Sequence, residues 1–117
     1  MAHASRQQLS DGGSRWGDFT VEFSSFPAGL DAAALLRGLP GDRCPCPHWG
    51  FVVSGRLEIR GPEGVEPVVA GEAYYMPPGH APFFVEDTVL FEVSPADELA
   101  EVMTVVERNL SVPASAR

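Results

Sequence analysis

Three residues of metal-binding type stand at alternate positions in one short run, Cys44-Pro45-Cys46-Pro47-His48. Thiolate sulfur and imidazole nitrogen are ligands that zinc and the late divalent metals accept. In an extended backbone residues i, i+2 and i+4 face one side. Cys44, Cys46 and His48 would then share a face, with Pro45 and Pro47 holding the chain extended. A second segment, Met76-Pro77-Pro78-Gly79-His80, offers another imidazole. Brought together, the two segments would make a mixed sulfur–nitrogen pocket, with His48 and His80 ahead of the cysteines and Asp42 behind them as an oxygen donor.

Each of these residues also has a plainer reading. The cysteines can be small buried side chains of a proline-rich entry strand, and they lack the C-x2-C spacing of structural zinc sites. His48 can bond a backbone carbonyl beside Trp49, and His80 can cap the bend after Pro-Pro-Gly. Residues 44 and 46 on a strand would have Cα atoms roughly 6.6–6.8 Å apart, at the edge of disulfide geometry, so both read as free thiols. Glu58 reads as a solvated strand residue. Glu92 reads first as water-facing, or else as an acid or base inside the fold. Ser54 does not sit on a nucleophile elbow, and no glycine-rich loop leads to a lysine.

The elements that must position these residues are short. Phe19, Val21 and Phe23 alternate with Asp18, Thr20 and Glu22, which predicts a half-buried strand over Trp16–Phe23. Asp31 is placed to cap a helical turn that Gly38 stops. From Trp49 onward the chain alternates short apolar runs with turn residues, predicting strands over 49–53, 56–60, 65–69, 73–76, 81–85 and 89–93. The aromatic residues Trp49, Phe51, Tyr74, Tyr75, Phe83, Phe84 and Phe91 are expected chiefly in the core. Ser94-Pro95-Ala96-Asp97 is a helix start with Ser94 as N-cap, followed by a stripe of Leu99, Val102, Met103, Val106 and Leu110.

Length and charge bound the rest. A chain of 117 residues fits one domain, expected over 15–112, with a flexible arm over 1–14 and a tail over 113–117. Eight basic residues against sixteen acidic ones, a net charge of -8, disfavour a nucleic-acid partner. No apolar run approaches membrane-spanning length and the N-terminal residues are too polar for a signal peptide, so the expected setting is the cytoplasm, without membrane contact.

The glycine–proline skeleton resembles that of the cupin superfamily. Gly71-x5-Pro77-x-Gly79 is similar to the start of the second cupin signature, G-x5-P-x-G-x2-H-x3-N. The run Phe51–Ile59 is similar to the end of the first, G-x5-H-x-H-x3/4-E-x6-G, with Gly55 as its last glycine. The ligand positions depart from the pattern. The first signature's two histidines and glutamate fall on Asp42, Cys44 and His48, and the second signature's histidine and asparagine fall on Pro82 and Glu86, with His80 two residues early. The resemblance implies an all-β, cupin-type jelly-roll β-barrel followed by a C-terminal α-helix, and a pairing as homodimers. The apolar N-terminal strand and the helix stripe are the expected contacts. The functional expectation is a small metal-binding cupin, holding a divalent ion through His48, His80, Cys44 and Cys46, that binds or acts on a small organic molecule. Zinc is placed ahead of iron, manganese or nickel. The alternatives are a metal-free ligand-binding or sensor barrel without catalysis, and an oligomerising module built on the helix stripe.

Overall fold

The structure, a computed structural model, describes residues 5–8 and 13–111. The tail over 113–117 and most of the arm over 1–14 lie outside the described residues. The strands are β1 (Gly13–Trp16), β2 (Phe19–Phe26), β3 (His48–Ser54), β4 (Arg56–Gly61), β5 (Gly64–Val69), β6 (Ala73–Met76), β7 (Ala81–Phe84) and β8 (Thr88–Pro95); helix α1 spans Ala96–Ser111. They form a five-stranded sheet, β1-β2-β8-β3-β6, and a three-stranded sheet, β5-β4-β7, with every pairing antiparallel.

The strand boundaries follow the turn residues closely. The expected strand over Trp16–Phe23 is the exception. A turn at Gly17-Asp18 splits it, so that Trp16 closes β1 and Phe19 opens β2, and β1 begins at Gly13, paired with Glu22. Gly55 carries the chain from one sheet to the other at φ 91, where an added Cβ would lie 2.6 Å from Thr88 Oγ1. Only glycine takes that conformation with no steric cost.

The core lies between the sheets. Val52, Tyr74, Met76 and Leu90 come from the larger sheet, and Leu57, Ile59, Val68 and Phe84 from the smaller one. Phe26 stacks on Phe84 at 4.3 Å. A second cluster closes one end, where Leu99 and Val102 of α1 meet Ala32, Leu36, Cys44, Cys46 and Ala81. Asp31 caps the 3-10 turn Ala32–Ala34 through a 3.0 Å bond from Ala33 N, as its type and position predict. Asn109 Nδ2 donates to Leu35 O at 2.7 Å and to Arg37 O at 2.9 Å, tying the far end of α1 to the same loop.

Two expectations change here. Strand β8 continues through Pro95, and Ser94 is a buried strand residue rather than a helix cap. The larger sheet also departs from the expected polarity, although Val21 is buried as expected. The inner face of β2 carries Glu22 and Ser24, which line the interior cavity. Phe19 and Phe23 have the opposite parity and point outward with Trp49, Phe51 and Tyr75. Trp49, Phe51 and Tyr75 are exposed rather than core residues.

Candidate metal centre

Backbone pairing joins the two segments that carry the candidate ligands. Cys44 N donates to His80 O at 2.8 Å and Gly79 N donates to Cys44 O at 2.7 Å, an isolated antiparallel bridge. Arg43 Nη1 adds a 3.2 Å bond to Gly79 O. His48 opens β3 opposite Met76, and His80 stands just ahead of β7. The ligand atoms of Cys44, His48 and His80 all lie within 4.8 Å of one another, and all three residues are buried. Cys44 Sγ is 3.5 Å from His48 Nε2, and the imidazole centroids are 4.9 Å apart.

Cys46 does not join this group. It is buried and free, as is Cys44, but its thiol donates to Pro47 O at 3.4 Å. The alternation argument needs a continuous strand, and residues 44–47 are not one: Cys44 sits in an isolated bridge and regular pairing resumes at His48. Asp42 is exposed, and its carboxylate accepts from Gly38 N at 3.1 Å. Glu86 is also exposed, whereas Pro82 lines the cavity wall.

Both imidazoles are held and neutral. Pro77 O can only accept, so its 2.6 Å bond with His80 Nδ1 places the proton there and leaves the Nε2 lone pair for a ligand. His48 Nδ1 lies 2.6 Å from Ser94 Oγ. With Nδ1–H donating to that hydroxyl, Nε2 turns its lone pair toward Cys44. Burial lowers the pKa of His48 to about 4. Burial also lowers His80 to about 4, and the neighbouring His48 adds to this while the Pro77 bond opposes it. Burial pushes the Cys44 thiol up to about 11 and the Cys46 thiol up to about 12. A bound cation would reverse the local balance at Cys44, because a coordinating thiol is deprotonated outright.

Two carboxyl groups face the same cavity, a space of about 330 Å³. Glu22 and Glu92 are register partners on β2 and β8. Tyr74 O–H donates to Glu92 Oε1 at 2.6 Å. That bond crosses β3 at Gly50, the register partner of both Tyr74 and Glu92, where an added Cβ would strike the Tyr74 ring and lie 2.6 Å from Phe91 O. Burial raises the pKa of Glu92 to about 6, against the lowering effect of the Tyr74 bond, and burial together with the Glu92 charge raises Glu22. Glu92 thus faces inward, not toward water. Sequence reasoning missed Ser94, Glu22 and Tyr74 as site residues. The usable signal was parity, since Ser94 and Glu92 lie two apart on one strand and His48 and Gly50 two apart on its neighbour.

The donor set fits a metal ion. Two neutral imidazoles and a thiol, each imidazole oriented through its second nitrogen, form the arrangement in which outer partners fix a ligand's tautomer. Three protein donors with one position left over is the pattern of an open zinc site.

Neither a family model nor a curated protein matches the sequence. Solved structures do match. A cupin 2 conserved barrel domain protein from Salinispora arenicola superposes with a TM-score of 0.54 at 17% identity, over 89% of this chain and 98% of that one. A protein of unknown function from Rhizobium leguminosarum gives 0.61 at 15%, over 80% and 97%. A salicylate 1,2-dioxygenase variant from Pseudoaminobacter salicylatoxidans gives 0.52 at 14%, over 75% of this chain but 24% of that one. At such identities the likeness speaks for architecture alone, and the fold of this chain is of the cupin type.

Proposed function

We propose that this chain binds a divalent metal ion through His48, His80 and Cys44, and admits a small organic molecule to the cavity beside it. The observation that carries this reading is the buried cluster itself. Its two imidazoles are already neutral and already oriented by Ser94 and Pro77 O. Zinc or another late divalent ion suits the thiolate–imidazole mixture. When bound, such an ion supplies Lewis-acid chemistry toward a substrate oxygen or a water.

The chain's own residues supply the rest. Leu36, Phe84, Leu90, Leu99 and Val102 give the cavity a largely apolar wall. The chain has no lysine and, among the described residues, no arginine lines the cavity, so an anionic group on the guest finds positive charge at the ion. Glu92 holds or releases a proton near neutral pH, with Tyr74 O–H fixing its carboxyl. Two reduced thiols belong with a cytoplasmic setting, which we keep as part of the proposal. Among the described residues no helix is long and apolar enough to cross a membrane.

Untagged protein stripped with chelator and titrated with Zn²⁺ in a calorimeter should take up about one equivalent. His48→Ala and His80→Ala should abolish the binding heat, and Cys46→Ser should leave it intact. Uptake that persists in the double histidine variant would end the reading. Pro82 supports a second one, a metal-free ligand-binding barrel, because it stands in the cavity wall at the position of a cupin signature histidine. Guest binding unchanged by chelator would decide for that alternative.

A further inference from the structure

One transverse row of the larger sheet runs Gly13, Glu22, Glu92, Gly50, Tyr74, a residue each from β1, β2, β8, β3 and β6. Two carboxyl groups stand side by side in its middle, and both line the cavity. Opposed residues of antiparallel strands have Cβ atoms about 4.5–5.5 Å apart, and like charges so placed repel. After burial, the Glu92 charge is what raises the pKa of Glu22. The glycine on either flank brings no side chain to the pair. Glu22 turns Oε2 over Gly13, 3.6 Å from where a Cβ would stand. Tyr74 O–H engages Oε1 of Glu92. Among the described residues no donor reaches the other oxygen of Glu92 or either oxygen of Glu22, and neither residue enters an ion pair. Arg15, two positions along β1 from Gly13, is engaged elsewhere: Nε donates to Gly17 O at 3.0 Å and Nη1 pairs with Asp97 at 3.7 Å. The remaining lining is largely apolar, and Met103 and Leu110, exposed residues of α1, carry it outward to solvent.

We infer that the guest of this cavity is a hydrocarbon amine, its ammonium group bridging Glu22 and Glu92 and its apolar body lying beneath α1. Buried like charges call for a compensating charge, and the cavity lining supplies none. A primary ammonium carries one positive charge and three N–H donors, enough to reach Glu22 and the free oxygen of Glu92 together. Hydrogen bonds between ionised partners are the strong ones. The Tyr74 bond fixes the Glu92 carboxyl, so that oxygen is held ready for the guest. A space of about 330 Å³ holds on the order of ten non-hydrogen atoms at about 30 Å³ each, the share of one water. The inference rests on the guest cavity of the proposed function and adds the chemical class of its occupant; it does not require the ion. A proton is the competitor for the same negative charge, and the comparison of guests below separates the two.

The full chain in excess chelator, at about pH 8 where such carboxyls are ionised, is titrated in a calorimeter with n-octylamine, n-octanol and n-octanoate. The amine should bind about 10-fold or more tighter than the alcohol, with the carboxylate weakest. This comparison needs no substitution and decides by itself. Glu22→Gln and Glu92→Gln should each weaken amine binding about 10- to 100-fold while leaving the alcohol within about 3-fold. A urea midpoint no lower than the parent's shows that each variant is folded. Equal affinity for amine and alcohol, or no uptake of amine, overturns the inference and leaves the zinc titration untouched. Amine uptake that appears only once zinc is restored overturns it as well, because the amine is then a ligand of the ion.

Discussion

Glu92 holds its proton to about pH 6, where an exposed glutamate titrates at 4.5. Burial is the cause. The folded state therefore keeps a proton that the unfolded chain releases between those values. The associated stability is fully present below pH 4.5 and is lost as pH rises through 6. Glu92→Gln keeps an acceptor for Tyr74 O–H and removes the titration. Relative to the parent, the variant should gain about 2 kcal/mol in urea unfolding between pH 4.5 and pH 8. A gap that does not change with pH would refute the buried carboxyl. Residue types marked the neighbourhood: His48, His80 and Cys44 converge, but through the Cys44–His80 bridge rather than through strand alternation. Cys46 diverges because alternation holds only inside a continuous strand. Ser94 looked like a helix cap because Ser-Pro-x-Asp is a capping sequence. Here its hydroxyl is engaged by His48 across the sheet, a contact 46 residues distant that no local pattern encodes.

At the scale of elements, α1 works as the stopper of the barrel's open end. Leu99 and Val102 fill the end cluster beside Cys44 and Cys46, and Asn109 fastens the helix to the loop at 35–37. Leu99→Ala should cost about 2–4 kcal/mol, measured by denaturant unfolding, as a large-to-small change in a closed cluster does. A cost below 0.5 kcal/mol would mean that the helix is only loosely seated. The strands were easy to place because glycine and proline punctuate them, and β6 matches its expected span of 73–76. Which face of β2 would be buried was not readable. Alternation separates two faces without saying which one the fold turns inward. The usual rule fails here because Glu22 and Glu92 are drawn inside to face the cavity, while Phe19, Trp49, Phe51 and Tyr75 stay exposed on the opposite face.

At the scale of the molecule, two sheets and a helix enclose a cavity whose donors come from β3, from the loop before it and from the turn before β7. Binding an ion that the unfolded chain holds poorly must stabilise the whole fold. With free Zn²⁺ at 100 times its dissociation constant, the unfolding free energy should rise by about 2.7 kcal/mol. Excess chelator should remove that increment, and the His48→Ala variant should never show it. Equal melting temperatures with and without the ion would contradict the assignment. Cys44 and His80 stand 36 positions apart, yet two main-chain hydrogen bonds clasp them together. The clasp involves no side chain, so trimming any one ligand leaves the scaffold's spacing in place. Frame and donors are thereby decoupled: on the proposed reading, different ions can be compared in one scaffold whose spacing the main chain sets.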